Sequence, residues 1–191
     1  MQCQRGTLVE DYLASRGLNF PPLKCLRFHP RLRHAEDRRY WPCMLALITR
    51  GTDNEPLGIH RTFLARDGEG KAPVSPNKMM LGLSRAGAVR LAQFDPNRPL
   101  MISEGIETGL AAMQASGNPT WAALSTSGMR TLDLPPEVRD IIILADGDDP
   151  GEAAAQFNAL RWQREGRRCR IARPPRGMDF NDMLLSSGGG Q

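Results

Sequence analysis

The stretch Ile141-Ile-Ile-Leu-Ala145 runs directly into Asp146-Gly-Asp-Asp-Pro-Gly151. Five apolar residues, three of them β-branched, predict a buried strand that delivers a cluster of carboxylates to its own C-terminal end. Part of the cluster has a local explanation. Asp149 is suited to cap the next helix, with Pro150 at its first position and Glu152 three residues on. Asp146 and Asp148 are left over. Two like charges ~6 Å apart repel by about 3 kcal/mol at an effective dielectric of ~20, so a cation or a basic group is expected between them.

Around this stretch the pattern alternates. Strands are predicted at 100–103, 120–124, 140–145 and 170–172, and helices at 105–115, 150–164 and 179–185, joined by short polar turns. That order predicts an α/β domain, a parallel sheet covered by helices. Functional groups in such sheets sit at the C-terminal ends of strands. Glu104, in Ser103-Glu-Gly105, leaves its strand where Asp146 leaves another, so two acids meet at one sheet edge. Glu107, one turn later, reads as a favourable charge at a helix N-terminus. Asp179-Phe-Asn-Asp182 reads as a capped helix start, with Asp182 equally suited to a functional role. Oxygen donors with no nearby His or Cys favour Mg²⁺ or Mn²⁺ over zinc. His29, His34 and His60 all lie in the other half of the chain. Ser125-Thr-Ser-Gly128 could turn backbone N–H groups toward a phosphate, a weak signal, and no G-x-x-x-x-G-K-[ST] loop is present.

The net charge of +4 is unevenly spread. Residues 1–97 carry 15 Lys+Arg against 9 Asp+Glu, and residues 98–191 carry 10 against 12. A basic half beside a carboxylate-bearing half suits a polyanion held by one and worked on by the other. The basic half predicts a helix at 8–15 closed by Gly17, then a basic loop at 24–39 holding Lys24, Arg27, Arg31, Arg33, Arg38 and Arg39. Strands at 42–49 and 56–65 follow, joined by a hairpin turn at 50–55 and ended by a second turn at 66–70. The segment 93–99 is the expected boundary between a smaller basic α+β subdomain (1–97) and the α/β domain (98–185), with a flexible tail at 186–191. Cys3, Cys25, Cys43 and Cys169 show no C-x-x-C spacing, so neither a zinc ribbon nor a disulfide framework is expected. No apolar run reaches the roughly 18 residues of a membrane span and no signal-peptide core opens the chain, so a cytoplasmic protein away from membranes is expected.

Glu104-Gly105 at one strand end, Asp146-Gly-Asp148 at another and a later Asp179-Phe-Asn-Asp182 resemble the Toprim domain shared by bacterial-type primases, topoisomerases and certain nucleases. "ISEGIETGLAA" and "ILADGDDPGEAAA" are similar to the Toprim portions of primases and primase–helicases of phages, plasmids and integrated elements. Leu57-Gly-Ile-His-Arg-Thr-Phe63, followed by Gly70-Lys71, Lys78 and Leu81-Gly82, is more loosely similar to the basic subdomain that precedes Toprim in primases. The resemblance implies a Toprim-like (Rossmann-like) parallel sheet with flanking helices. It implies Glu104 as the acid that assists proton transfer or orients metal, with Asp146 and Asp148 holding Mg²⁺ (or Mn²⁺) and Asp179 and Asp182 completing a second metal position. Arg61, Lys71 and Lys78 would contact nucleic acid or triphosphate.

The implied function is primase-like nucleotidyl transfer, synthesis of RNA primers on single-stranded DNA from nucleoside triphosphates in the replication of a phage or mobile element, alongside a replicative helicase. Two rivals stand beside it. The same carboxylates suit a Toprim-type nuclease, and a non-catalytic module that binds DNA or recruits a helicase is a different class altogether. The departures are the lack of a zinc-binding module and of a helicase portion. Strand passage as in topoisomerases is unsupported, because Tyr12 and Tyr40 both precede the Toprim-like half.

Overall fold

The computed structural model describes residues 3–145, 149–175 and 177–188, the last two by their backbone alone. Helix α1 (Leu8–Ser15) begins at Thr7, whose extended backbone and side-chain oxygen meet the N–H of Val9, and is followed by Gly17 at φ 71°. It buries Val9, Tyr12 and Leu13. Five antiparallel strands follow: β1 (Leu26–Arg33), β2 (Tyr40–Arg50), β3 (Pro56–Phe63), β4 (Lys78–Gly82) and β5 (Gly87–Arg90).

The expected basic loop at 24–39 is therefore corrected. Half of it is strand β1, paired antiparallel with β2 from Leu26 opposite Ala46 to Arg33 opposite Tyr40. Leu26 and Phe28 are buried on alternate positions, the period of a half-covered strand, while the intervening Arg27 faces solvent. A register shift between His29 and Leu32 accommodates Pro30, which a regular central ladder would not.

The second half alternates as expected, with one helix, α3, that was not expected: β6 (Leu100–Ser103), α2 (Ile106–Ser116), β7 (Thr120–Ala122), α3 (Thr126–Thr131), β8 (Asp140–Leu144), α4 (Asp149–Arg164), β9 (Arg168–Ala172) and α5 (Phe180–Gly188). Strands β7, β6, β8 and β9 are parallel neighbours. The antiparallel pairing of β5 with β7 fuses both halves into one nine-stranded sheet, ordered β4-β3-β2-β5-β7-β6-β8-β9 with β1 also on β2.

Helices cover both faces. On one, α1 and α2 share a core: Val9, Tyr12 and Leu13 meet Met44, Ala46 and Ile48 of β2 and Ile106, Leu110 and Ala111 of α2. The two halves thus bury apolar surface against each other, the dominant favourable term in folding. On the other face Trp121, Ile141 and Ile143 pack with Met129 of α3 and with Ala154, Ala155 and Trp162 of α4. Gly109 lets α2 lie close to the sheet, because a Cβ there would stand 2.6 Å from Ser103 Oγ and 2.8 Å from Leu91 Cδ1. No helix among the described residues is long and apolar enough to cross a membrane.

Candidate functional site

Strands β6 and β8 are adjacent and parallel, with Ile102 opposite Ile143, so both leave the sheet at one edge. Glu104 stands there, half-buried, just beyond β6. Its turn is held from two sides. The Ser103 hydroxyl donates to the Gly105 carbonyl at 2.8 Å, and the Glu104 carbonyl accepts from the N–H of Leu124 at 2.8 Å. Leu124 pays for that contact with a left-handed backbone, φ 72°. On β8, pairing extends to Ala145, whose N–H reaches the Ala172 carbonyl at 3.0 Å. Asp146 and Asp148 come next and lie outside the described residues.

Asp179 and Asp182 cap α5 reciprocally. The Asp182 N–H donates to Asp179 Oδ1 at 2.7 Å and the Asp179 N–H to Asp182 Oδ2 at 2.9 Å, so each carboxylate satisfies an end-of-helix donor. Phe180, between them, packs on the cluster of Met101, Ala112 and Leu144, which ties this helix start to the Toprim-like strands. Ser125 caps α3, its hydroxyl oxygen accepting the Gly128 N–H at 2.9 Å. Among the described residues, no three His, Cys, Asp or Glu side chains gather as a metal cluster.

The residue that sequence reasoning under-read is Glu107. It lies in the first turn of α2, as a helix-dipole charge should, yet it is only 6% exposed. Its Oε1 accepts from the Tyr12 hydroxyl at 2.7 Å and pairs with Lys71 Nζ at 3.4 Å, while Oε2 accepts from Lys78 Nζ at 3.1 Å. Burial by itself would raise this carboxyl's pKa, but Lys78, Lys71 and the Tyr12 hydroxyl outweigh it and hold it at about 2. Burial, and then Glu107, push the Tyr12 phenol up. Lys71 is lowered, chiefly by burial, even with Glu107 beside it. His60 on β3 is 4% exposed and lowered to about 4, first by burial and next by Lys78. His60 Nδ1 and Thr62 Oγ1 have no hydrogen-bond partner among the described residues, which is costly for buried polar atoms.

Two of the three basic residues singled out from the sequence are thus brought together. Lys78 pairs with Thr62 across the β3–β4 ladder and Lys71 bridges to Leu64, so both belong to the face that meets α2. Arg61 is not brought to them. It pairs with Leu45 on the opposite face, and its guanidinium donates to the Met80 carbonyl at 3.0 Å.

Residues 99–190 match the family model of the Toprim domain. The fold is similar to that of the Aquifex aeolicus primase, in its zinc-binding and RNA polymerase domains, at a TM-score of 0.59 and 14% identity over 96% of this chain and 54% of that one. The chain carries a Toprim domain in a primase-like fold. This Toprim protein also matches, over residues 2–91, a family described as a domain of unknown function (DUF7146). Its fold is similar to the RNA polymerase domain of Mycobacterium tuberculosis primase DnaG, at a TM-score of 0.51 and 17% identity, covering 97% of this chain and 60% of that one. The same domain in complex with a double-stranded DNA oligomer bearing a 6-nucleotide overhang gives 0.53 and 14%, covering 97% and 72%. The Toprim protein spans about half the length of the Aquifex chain it matches. No curated protein matches its sequence.

Proposed function

We propose that this Toprim protein is a primase-like nucleotidyltransferase that makes short RNA on single-stranded DNA. The observation that carries the reading is the Glu107 hub. It draws Lys71 and Lys78 out of the basic half to the start of α2, three residues from Glu104. A reaction that condenses nucleoside triphosphates needs carboxylates and cations at one edge, and both halves of the chain supply that edge. DNA bound to the similar mycobacterial polymerase domain supports a nucleic-acid template here.

The donor set at the edge consists of carboxylate oxygens, which suits a hard divalent cation. Glu104, Asp146 and Asp148 would hold one Mg²⁺ or Mn²⁺ and Asp179 with Asp182 would contribute to a second position, supplying charge stabilisation for the attacking hydroxyl and departing pyrophosphate. The capping bonds of Asp179 and Asp182 leave one oxygen on each carboxylate unused by those bonds. Lys71 and Lys78 would meet the triphosphate, and Glu107 would orient them while cancelling part of their charge before substrate arrives. Arg61 holds β4 in place on the far face.

The test is incubation with single-stranded DNA, all four ribonucleotides and Mg²⁺ or Mn²⁺, alongside Glu104→Gln and Asp146→Asn. Metal-dependent RNA products that vanish in both variants are the expected result. DNA cleavage without synthesis would transfer the chemistry to hydrolysis. Neither product, with DNA binding retained in both variants, would leave a binding module.

A further inference from the structure

Away from the Toprim edge, the turn between β1 and β2 and the turn that follows β3 close around a cleft of about 490 Å³ lined by Pro30, Arg31, Arg38, Arg39, Tyr40, Pro42 and Arg66. Four guanidinium groups and one aromatic ring edge one concave surface. Three of the arginines lie over aromatic rings. Arg31 lies 5.0 Å from the centroid of Tyr40, while Arg66 and Arg39 lie 5.0 and 5.7 Å from that of Trp41. A cation–π contact uses no N–H donor of the guanidinium, so its donors stay available to an anion.

The charge is poorly balanced. Asp37 is spent locally, accepting two hydrogen bonds from Arg39 Nε and one from its Nη2, together with the Trp41 indole N–H at 2.9 Å. Arg66 gives one donor to the Tyr40 carbonyl. Arg31 and Arg38 have no acidic partner among the described residues, and Glu36, Asp67 and Glu69 do not line the cleft. The two turns are themselves braced: buried His34 accepts the Asp37 N–H, reaches the Pro76 carbonyl through its other nitrogen, and packs edge-on against Phe63. A rigid frame thus presents unpaired cations beside Tyr40, which is 45% exposed.

We infer that this notch binds single-stranded nucleic acid, with phosphates on Arg31 and Arg38 and an unpaired base against Tyr40. The ligand must be anionic to meet the guanidiniums and must offer a flat apolar face to the ring. A duplex hides its base faces, whereas a single strand exposes them. Position favours a linear polyanion over a small one. Arg66 opens the turn that Lys71 closes, joined by the Ala65 N–H to Gly70 carbonyl bond and the Leu64–Lys71 bridge, so one strand leaving the lysines meets the notch across a single turn. The inference rests on the polymerase reading for its direction, placing the notch on the template path, but its binding claim is separable.

Anisotropy of fluorescein-labelled oligothymidylate with the full chain, over a salt series without ribonucleotides or divalent metal, isolates the notch. Arg31→Gln combined with Arg38→Gln is expected to weaken Kd by roughly tenfold at low salt and to make the salt slope shallower by about 1.4, two phosphate contacts at ~0.7 each. Tyr40→Ala weakens Kd by roughly fivefold or more with the slope unchanged, and Tyr40→Trp restores it. Thermal melts matching the parent confirm that each variant is folded, and the glutamine pair keeps the side-chain stems so that a melting defect does not block the test. Unaltered Kd and slope in the arginine pair would overturn the proposal, as would equal affinity for duplex and single strand. Absence of primer synthesis with normal notch binding would sink the polymerase reading alone.

Discussion

Glu107 keeps its charge under cover because three groups from the basic half surround it. Glu107→Gln preserves the shape and leaves two lysines without their counter-charge. The expected cost is about 2 kcal/mol of stability, read from urea denaturation, together with a rise in KM for ribonucleotides larger than the fall in kcat. A variant as stable as the parent would show that the lysines gain nothing from the carboxylate. His60 sets a separate pH window. Its pKa falls from 6.5 to about 4 in the folded chain, so between those values the unfolded chain binds more protons. Stability therefore drops as pH falls from 6.5 toward 4, by up to about 3 kcal/mol, and this part of the loss levels off below. Glu107 acts lower, losing its contribution as pH falls from 4.5 through about 2. Melting temperatures between pH 7 and 4.5 should decline in the parent and flatten in His60→Gln; parallel curves would remove His60 from the account. The strand ends that carry Glu104 and lead into Asp146 were legible in the sequence because a strand's end is a local feature, while Asp146 and Asp148 themselves lie outside the described residues. The hub was not, since Tyr12, Lys71 and Lys78 lie 95, 36 and 29 residues from Glu107, and only the antiparallel meander and α1 bring them together.

Helix α2 shows how closely an element can be fitted. Gly109→Ala would gain up to about 1 kcal/mol in helix propensity but drives a methyl into Ser103 and Leu91, where overpacking costs ~1–3 kcal/mol. A lower melting temperature is expected, with priming reduced further because Ser103 braces the Glu104 turn. A higher melting temperature would mean that the helix has room to lift. Most of the second half was readable element by element, since β and α periods alternate with polar turns between them, but α3, only six residues long, read as a Ser/Thr/Gly turn because so short a helix carries too little periodicity. Strand β1 was hidden by its arginines, which mask the alternation of Leu26 and Phe28, and by Pro30. Strands β4 and β5, five and four residues long, carry too short a pattern to read before pairing reveals them. The final helix begins where its capping pair Asp179 and Asp182 indicates.

Across the molecule, β5 ties the basic half to the Toprim half by pairing Val89 with Ala122 and Arg90 with Trp121, and the Arg90 guanidinium lies 4.1 Å over the Trp121 ring while donating to the Arg50 and Gly51 carbonyls. With a shared core on α1 and α2, both halves should unfold in one step. Trp41 reports on the first half and Trp121 and Trp162 on the second, so Trp41→Phe and a Trp121→Phe, Trp162→Phe pair give separate fluorescence probes. Coincident urea midpoints, after allowing for each variant's own stability by circular dichroism, are expected; resolved midpoints would split the molecule into two cooperative units.

Among the described residues, the shared sheet also couples the two halves by backbone hydrogen bonds. Template and nucleotides would then enter a jaw of fixed gape, and each round of synthesis would advance by moving the strand past stationary walls rather than by opening and shutting the protein. On the proposed function, adaptation to a growing product would fall to side chains and turns, Lys71 and Lys78 foremost, which would trade Glu107 for phosphate while the frame stays still.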